Sequence, residues 1–225
     1  MAEPRRRRAR VPHEKFSRVL KQRTAALHRH AEAPLRSVLA GRHALHRAAA
    51  AAWLHAEAAR HEAQEATMAA ATRRHPALVA FDPAPLRVAS GLRADSRLVP
   101  LHPADHASAA AARRLAARFR ARLAFLARHD PAGLGLHAYV FGLARLFGGR
   151  LVAVLVARAA GLEAGGLAHA PPPGAMAEAL PMRRAMDQLG STPALRARLL
   201  AEARWAYAHG GQLMRLLTQG AVPRG

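Results

Sequence analysis

The chain has 225 residues, no cysteine, 51% hydrophobic residues and a formal net charge of +21, from 35 Lys and Arg against 14 Asp and Glu. This length suits a single domain with a substantial core, and the missing cysteines exclude a disulfide scaffold, a thiolate metal site and a cysteine nucleophile, which fits a cytoplasmic location. The charge excludes an acidic solvating protein and indicates an anionic partner, which could be a ligand, a nucleic acid or a membrane surface.

The N-terminal residues 1–13 form a basic tail, with five arginines and two prolines in the first twelve residues. This composition predicts a disordered arm, and because no apolar stretch follows it we do not expect a secretory signal. We expect one folded domain over residues 14–218 and a short tail over 219–225. The longest apolar candidate, residues 151–160, is interrupted by Arg158, so no membrane span is predicted.

The pattern along the chain predicts helices and no strands, which places the protein in the all-α class. Asp130 and Thr192, each followed by a proline, are typical of a helix start. In chain order, the predicted helices cover about 14–39, 43–72, 85–97, 108–128, 134–160, 175–189 and 193–217, with a proline-rich loop over 75–103 and a flexible loop over 161–174.

The first predicted helix carries a histidine in a position that suits an iron porphyrin. At about 100° per residue, His28 lies at the edge of the apolar stripe, beside Ala31 and Leu35. Lys21 points almost the same way, two turns or about 10 Å away. The imidazole can ligate iron while the cation meets a propionate. The alternative is a solvated histidine, as expected for His30, since the chain has 14 histidines.

The fifth predicted helix is interrupted by three glycines, at Gly142, Gly148 and Gly149. Each costs a helix about 0.5–1 kcal/mol relative to alanine, so their presence needs a reason. One alternative is a kink or close helix packing, and the other is a backbone that must approach a flat ligand. Ala144 and Gly148 lie four residues apart and form a small-residue groove, with Arg145 beside it.

Four segments of the chain together resemble the heme oxygenase family. The family's proximal helix is similar to LKQRTAALHRHAE, residues 20–32, and its distal helix to DPAGLGLHAYVFGLARLFGGRL, residues 130–151. Its C-terminal helix is similar to STPALRARLLAEARWAY, residues 191–207, and a weaker match is FDPAPLRVASGLRAD, residues 81–95. The segments follow the order of the family.

The resemblance implies a single all-α domain that holds heme between the first and fifth helices. It implies that His28 is the proximal iron ligand, that Lys21 and Arg183 contact the propionates, and that Tyr139 lies beside the distal pocket. The implied activity is cleavage of heme b by O2 to biliverdin, carbon monoxide and ferrous iron. Electrons would come from a ferredoxin or a flavin reductase.

One departure from the family lies on the distal side. Active members carry a Gly-Asp pair where this chain has Ala144-Arg145, and that Asp belongs to a water network that delivers protons. Gly148 and Gly149 are retained, so the implied catalytic positions are these two glycines with Ala144 and Arg145. A guanidinium donates hydrogen bonds and accepts none. Arg145 either points to solvent or reaches over the heme, and both orientations predict slow turnover.

Three functions remain open from the sequence. The first is a heme-degrading enzyme, and the second is a heme-binding protein of the same fold with impaired turnover that serves as a sensor, carrier or store. The third is a basic helical protein that binds nucleic acid, which the run of arginines at residues 5–8 favours. A content of 4% aromatic residues, arginines spread over all the helices and the lack of a recognition motif argue against the third function.

Overall fold

The structure is a computed structural model that describes residues 14–41, 44–163 and 166–218. The predicted tails over 1–13 and 219–225 lie outside the described residues. Within those ranges the chain is all-α, as predicted, and contains no strand. The α-helices are α1 (Phe16–Leu39), α2 (Arg47–Thr72), α3 (Ala89–Leu98), α4 (His106–His129), α5 (Pro131–Ala159), α6 (Ala179–Leu189) and α7 (Pro193–Thr218).

Side-chain caps confirm the two predicted helix starts. At the start of α5, the Asp130 carboxylate accepts a hydrogen bond from the backbone N–H of Gly133 at 3.3 Å. At the start of α7, Oγ1 of Thr192 accepts from the backbone N–H of Leu195 at 3.3 Å. A proline occupies the first position of both helices, where its missing N–H costs no hydrogen bond.

Helix α5 is continuous over 29 residues, which corrects the prediction that its glycines interrupt it. Gly142 has a packing role, because a Cβ there would lie 2.7 Å from Cε of Met182 on α6. A Cβ at Gly148 would meet no atom within 4 Å. Close helix packing therefore explains one glycine and leaves the other without a packing reason.

The proline-rich region is more helical than predicted. Instead of one short helix, it contains the 3-10 helices Pro76–Phe81 and Ala84–Leu86, followed by α3. Leu78 and Phe81 anchor the first of these turns in the core. A proline lies in the first turn of each 3-10 helix, where its fixed φ angle is compatible with the turn. The predicted sixth helix is likewise divided, into a 3-10 turn at Ala175–Glu178 and α6.

The main core surrounds α5, which packs against α2, α4, α6 and α7. A buried polar group ties three of these helices together. The carboxylate of Glu202 on α7 lies 2.6 Å from Nε2 of His137 on α5 and accepts hydrogen bonds from Arg122 on α4. These bonds fix the rotation of α5 about its axis, and with it the face that α5 presents to α1 and α2.

Helix α5 also meets the length and composition of a membrane span, with a mean hydropathy of 1.8 in an 18-residue window. No membrane span was predicted here because Arg145 and Arg150 interrupt the apolar run. The position of α5 between four other helices accounts for its apolar composition, since a helix that is apolar on most sides is typical of a bundle centre.

Candidate functional site

A cleft opens between α1, α2, α5 and α7 and encloses about 910 Å³, including the space at its mouth. The space inside it that can hold the centre of a water-sized sphere is about 160 Å³. Apolar side chains from all four helices line most of it. They include Ala31 and Leu35 of α1, Trp53 of α2, Val140, Phe141 and Val152 of α5, and Leu213 and Met214 of α7.

Helix α1 brings His28 to the cleft, beside Ala31 and Leu35, as its apolar stripe predicts. The His28 side chain is 48% exposed, and its Nε2 lies 3.2 Å from Oε1 of Glu32. Its ring packs edge-on against Tyr207 of α7, with 5.9 Å between the ring centroids. The imidazole is therefore oriented by a carboxylate and an aromatic ring and remains accessible from the cleft.

Helix α5 forms a second wall, in which Ala144, Arg145, Gly148 and Gly149 all take part. At Gly148 the space beside the backbone is open. At Gly149 a Cβ would lie 3.3 Å from Cγ of Arg145 and 3.4 Å from Pro171. The first glycine thus leaves the backbone accessible from the cleft, while the second makes room for Arg145 and for the loop after α5.

Arg145 lines the cleft and is buried, so its side chain does not point to solvent. The residue is 9% exposed, and its Nε and Nη2 have no hydrogen-bond partner among the described residues. Burial lowers the pKa of Arg145 to about 10, although the charge of Glu57 acts in the opposite direction. The side chain is therefore a cation at neutral pH, with unused N–H donors inside the site.

Helix α2 contributes a buried charged group that the sequence analysis missed. Arg60 donates to both carboxylate oxygens of Glu57, at 3.1 and 2.5 Å. Although burial raises the pKa of Glu57, the charge and the hydrogen bonds of Arg60 hold that pKa well below the usual range. The spacing of Glu57, Arg60 and His61, at i, i+3 and i+4 in an alanine-rich helix, was the available signal.

The tautomer of His61 follows from its neighbour. Nε2 of His61 lies 2.7 Å from Nη2 of Arg60 and 3.5 Å from Oε2 of Glu57. Because a guanidinium only donates, the shorter contact assigns Nε2 as an acceptor. Nδ1 then carries the hydrogen. Burial, reinforced by the Arg60 charge, lowers the pKa of His61 to about 4, so this ring is neutral at ordinary pH.

The loop between α5 and α6 places His169 at the cleft. The carboxylate of Asp95 on α3 accepts the backbone N–H of Ala168 and of His169, at 2.7 and 2.9 Å, and lies 2.5 Å from Nδ1 of His169. Nε2 of His169 and Nε1 of the neighbouring Trp53 are buried, and the described part of the chain offers neither a partner. This loop has no periodic pattern, so nothing in the sequence indicated His169.

Three residues of the predicted site lie outside the lining of the cleft. Lys21 and Arg183 are exposed, and the guanidinium of Arg183 lies 5.7 Å from the ring centroid of Phe147. Tyr139 is buried and packs edge-on against Phe81 at 6.5 Å. Burial raises the pKa of Tyr139 to about 12. The structure therefore brings His28 and the α5 residues together in the lining of the cleft. Lys21, Tyr139 and Arg183 lie outside that lining.

Comparisons with solved structures reveal the same fold in bacterial proteins. A heme oxygenase from Leptospira interrogans is 22% identical, with a TM-score of 0.72 over 89% of this chain and 98% of that chain. Heme oxygenase-1 of the cyanobacterium Synechocystis, in complex with heme, is 22% identical, with a TM-score of 0.70 over 89% of this chain and 91% of that chain.

Heme oxygenase-2 of Synechocystis, in complex with heme and NO, is 21% identical, with a TM-score of 0.71 over 90% of this chain and 85% of that chain. No curated protein matches the sequence significantly. The family model described as "Heme oxygenase" matches residues 14–215, which is most of the chain. The chain therefore belongs to the heme oxygenase family.

Proposed function

We propose that the protein acts as a heme oxygenase in the cytoplasm. It would cleave heme b to biliverdin, carbon monoxide and ferrous iron, using O2 and electrons from an external donor such as a ferredoxin or a flavin reductase. The observation that carries the proposal is the cleft in which α1 presents an accessible imidazole, His28, and α5 presents open backbone at Gly148. Two of the similar structures are complexes with heme, which supports the class of ligand.

The residues of the cleft fit a porphyrin. Apolar side chains from four helices can cover the faces of a flat ring, and the open space at Gly148 admits the ring close to the α5 backbone. His28 would hold the iron from the α1 side. When bound, heme supplies both the iron that activates O2 and the ring carbon that is attacked.

Each wall then has its own task in the reaction. The α5 backbone at Gly148 sets how closely the ring can lie, and the apolar side chains Val140 and Phe141 exclude bulk water. Arg145 holds N–H donors in the site and has no lone pair that could accept a proton. Lys21 and Arg183, both exposed, would hold the two propionates at the rim.

A heme-binding protein with slow turnover is the second candidate, and the position of Arg145 favours it. By the resemblance of α5 to the family's distal helix, Arg145 would stand where active members carry an Asp. Its side chain lines the cleft, and the carboxylate of Glu57 is already engaged by Arg60. Proton delivery would then depend on water held by backbone carbonyl groups near Ala144. Such a protein would serve as a heme sensor, carrier or store.

Heme titration followed by reduction separates the two candidates. The heme complex, formed at equimolar heme and followed by its Soret band, is mixed with reductant in air, with catalase present to remove peroxide made in solution. Loss of the Soret band with a rise of biliverdin absorbance supports the enzyme. A stable Soret band over the same period supports the carrier, and failure to form any heme complex would refute both.

A further inference from the structure

Unused hydrogen-bond donors from two helices lie on residues that line the same cleft. They are Nε and Nη2 of Arg145, Nε1 of Trp53 and Nδ1 of His61, and none has a partner within the described ranges. The three residues are 9%, 5% and 4% exposed, respectively. A buried donor without an acceptor is costly, so this grouping indicates a ligand rich in acceptors.

None of the three carboxylates around Arg145 accepts a hydrogen bond from its Nε or Nη2. Glu57 is paired with Arg60. Glu65 accepts two backbone N–H groups at the start of α3, at 2.6 and 2.8 Å. Asp95 accepts the hydrogen bonds that hold the loop after α5. Each acid therefore has its own donors, and Nε and Nη2 of Arg145 remain free to bind an acceptor.

His169 adds an acceptor to the same cleft. Asp95 holds the hydrogen on Nδ1, and burial lowers the pKa of His169, so that Nε2 presents a lone pair. This Nε2 is buried and unpartnered in the described chain, and the ring centroid lies 5.9 Å from that of Trp53. A ligand with acceptor oxygens and one hydroxyl group would satisfy both the donors and this lone pair.

We propose that this inner part of the cleft, bounded by Trp53, His61, Arg145 and His169, binds a small oxyanion of the carboxylate type. Nε and Nη2 of an arginine form two parallel N–H bonds to a carboxylate, which is the strongest geometry for such a pair. Hydrogencarbonate is the simplest anion that also offers a hydroxyl to His169. The site lies in the cleft proposed for heme, but it is tested on the heme-free protein, so its failure and the failure of the proposed function are distinguishable.

Isothermal titration calorimetry on the heme-free protein tests the site, with hydrogencarbonate and formate as separate probes at constant ionic strength. We expect saturable binding at one site, with hydrogencarbonate the tighter of the two. Arg145→Met should weaken both by about ten- to a hundred-fold, because it removes the charged donor pair and keeps the stem. Arg150→Met, an exposed position on the same helix, is the matched control and should bind as the wild type does.

Trp53→Phe provides a second variant, since it removes one donor and retains an apolar ring. It should weaken binding several-fold without a change in helical content. The proposal is overturned if neither probe gives saturable heat with the wild-type protein. It is equally overturned if a folded Arg145→Met variant, with wild-type circular dichroism and thermal unfolding, binds both probes as tightly as the wild type.

The carboxylate could also be a propionate on a tetrapyrrole, and iron-free protoporphyrin distinguishes this source. Tighter binding of the free acid than of its dimethyl ester, with the difference lost in Arg145→Met and kept in Arg150→Met, assigns the site to a propionate. If the free acid and the ester differ in affinity by the same amount in the wild type and in Arg145→Met, while formate binding depends on Arg145, the site is assigned to a free anion. If neither the protoporphyrin difference nor formate binding depends on Arg145, the proposed site is refuted.

Discussion

Gly142 and Met182 set the distance between α5 and α6, since a methyl group added to the glycine would lie 2.7 Å from Cε of the methionine. Six residues later on the same helix, a methyl group added at Gly148 would project into open space in the cleft. Gly142 thus allows α5 and α6 to pack closely, and Gly148 leaves the α5 backbone exposed to the cleft.

This difference predicts opposite effects for two matched substitutions. Gly142→Ala should destabilise the heme-free protein by about 1–3 kcal/mol through overpacking. Gly148→Ala should stabilise it by up to about 1 kcal/mol, because alanine is the better helix former, and should weaken heme binding because the methyl group occupies space next to the ring. Thermal unfolding and heme titration of both variants measure these effects. Unchanged heme affinity in Gly148→Ala would contradict the proposed position of the ring.

Replacement of His28 should abolish the axial ligand of ferric heme. His28 borders the cleft, whereas His30, two residues later on the same helix, is exposed and absent from the lining. We expect His28→Ala to lose the native resonance Raman and electronic spectrum of the complex, and His30→Ala to retain it. A native spectrum in the His28 variant would move the ligand to another residue.

Lys21 and Arg183 should affect the orientation of the bound porphyrin more than its binding affinity. Both are exposed, so each contact with a propionate is worth less than the about 1.5–3 kcal/mol of a desolvated charge-assisted bond. Replacing both with alanine should change the ratio of biliverdin isomers while heme affinity falls little. The neighbouring Arg184→Ala is the control for loss of charge. Lower affinity with an unchanged isomer ratio would disprove the orienting role.

Arg145→Asp should accelerate the degradation of bound heme under a fixed electron supply without tightening heme binding. The substitution exchanges a group that only donates for one that accepts hydrogen bonds from distal water. Arg145→Met removes the charge without adding an acceptor and should remain slow. Single-turnover absorbance traces compare the three proteins. Wild-type turnover as fast as that of the Asp variant would remove position 145 from the proton path.

The heme-free protein should lose stability as the pH falls through the histidine range. Burial lowers the pKa of His61 to about 4 and that of His209 to about 3, while an unfolded histidine titrates near about 6.5. Below that pH the unfolded chain binds protons that the folded chain does not. Stability is therefore present above about pH 6.5 and falls by up to about 1.4 kcal/mol per pH unit for each such histidine.

Thermal unfolding between about pH 8 and about pH 5 measures this dependence. His209→Phe is the informative variant, because the histidine ring stacks on Trp205 at 5.2 Å and phenylalanine can keep that contact. Its unfolding free energy should vary less steeply with pH than that of the wild type. An identical slope in both proteins would show that His209 carries no part of the effect.

The sequence predicted the parts of the molecule that carry a repeating pattern or a cap. The apolar stripe of α1 placed His28 beside Ala31 and Leu35, and the Asp130 and Thr192 caps fixed two helix starts. Helix continuity through the glycines of α5 was not predicted. A local cost of about 1 kcal/mol per glycine is outweighed by packing on several sides of the helix.

The polar half of the cleft could not be read from the sequence. In α2, alanine surrounds Glu57, Arg60 and His61 on every face, so no apolar stripe reveals which side turns inward. His169 lies in a loop whose position depends on Asp95, 74 residues away in the chain. The inward orientation of Arg145 likewise depends on the room left by Gly149, which is a property of the assembled fold.

The positive charge of Arg145 also has an electrochemical consequence. A fixed cation in a poorly solvated cleft favours the oxidation state of a nearby metal that carries less positive charge. Heme held in this cleft should therefore have a higher reduction potential than heme beside a carboxylate at the same helix position. A weaker reductant would then suffice to convert its ferric iron to the ferrous state, which widens the range of electron donors that can serve this protein.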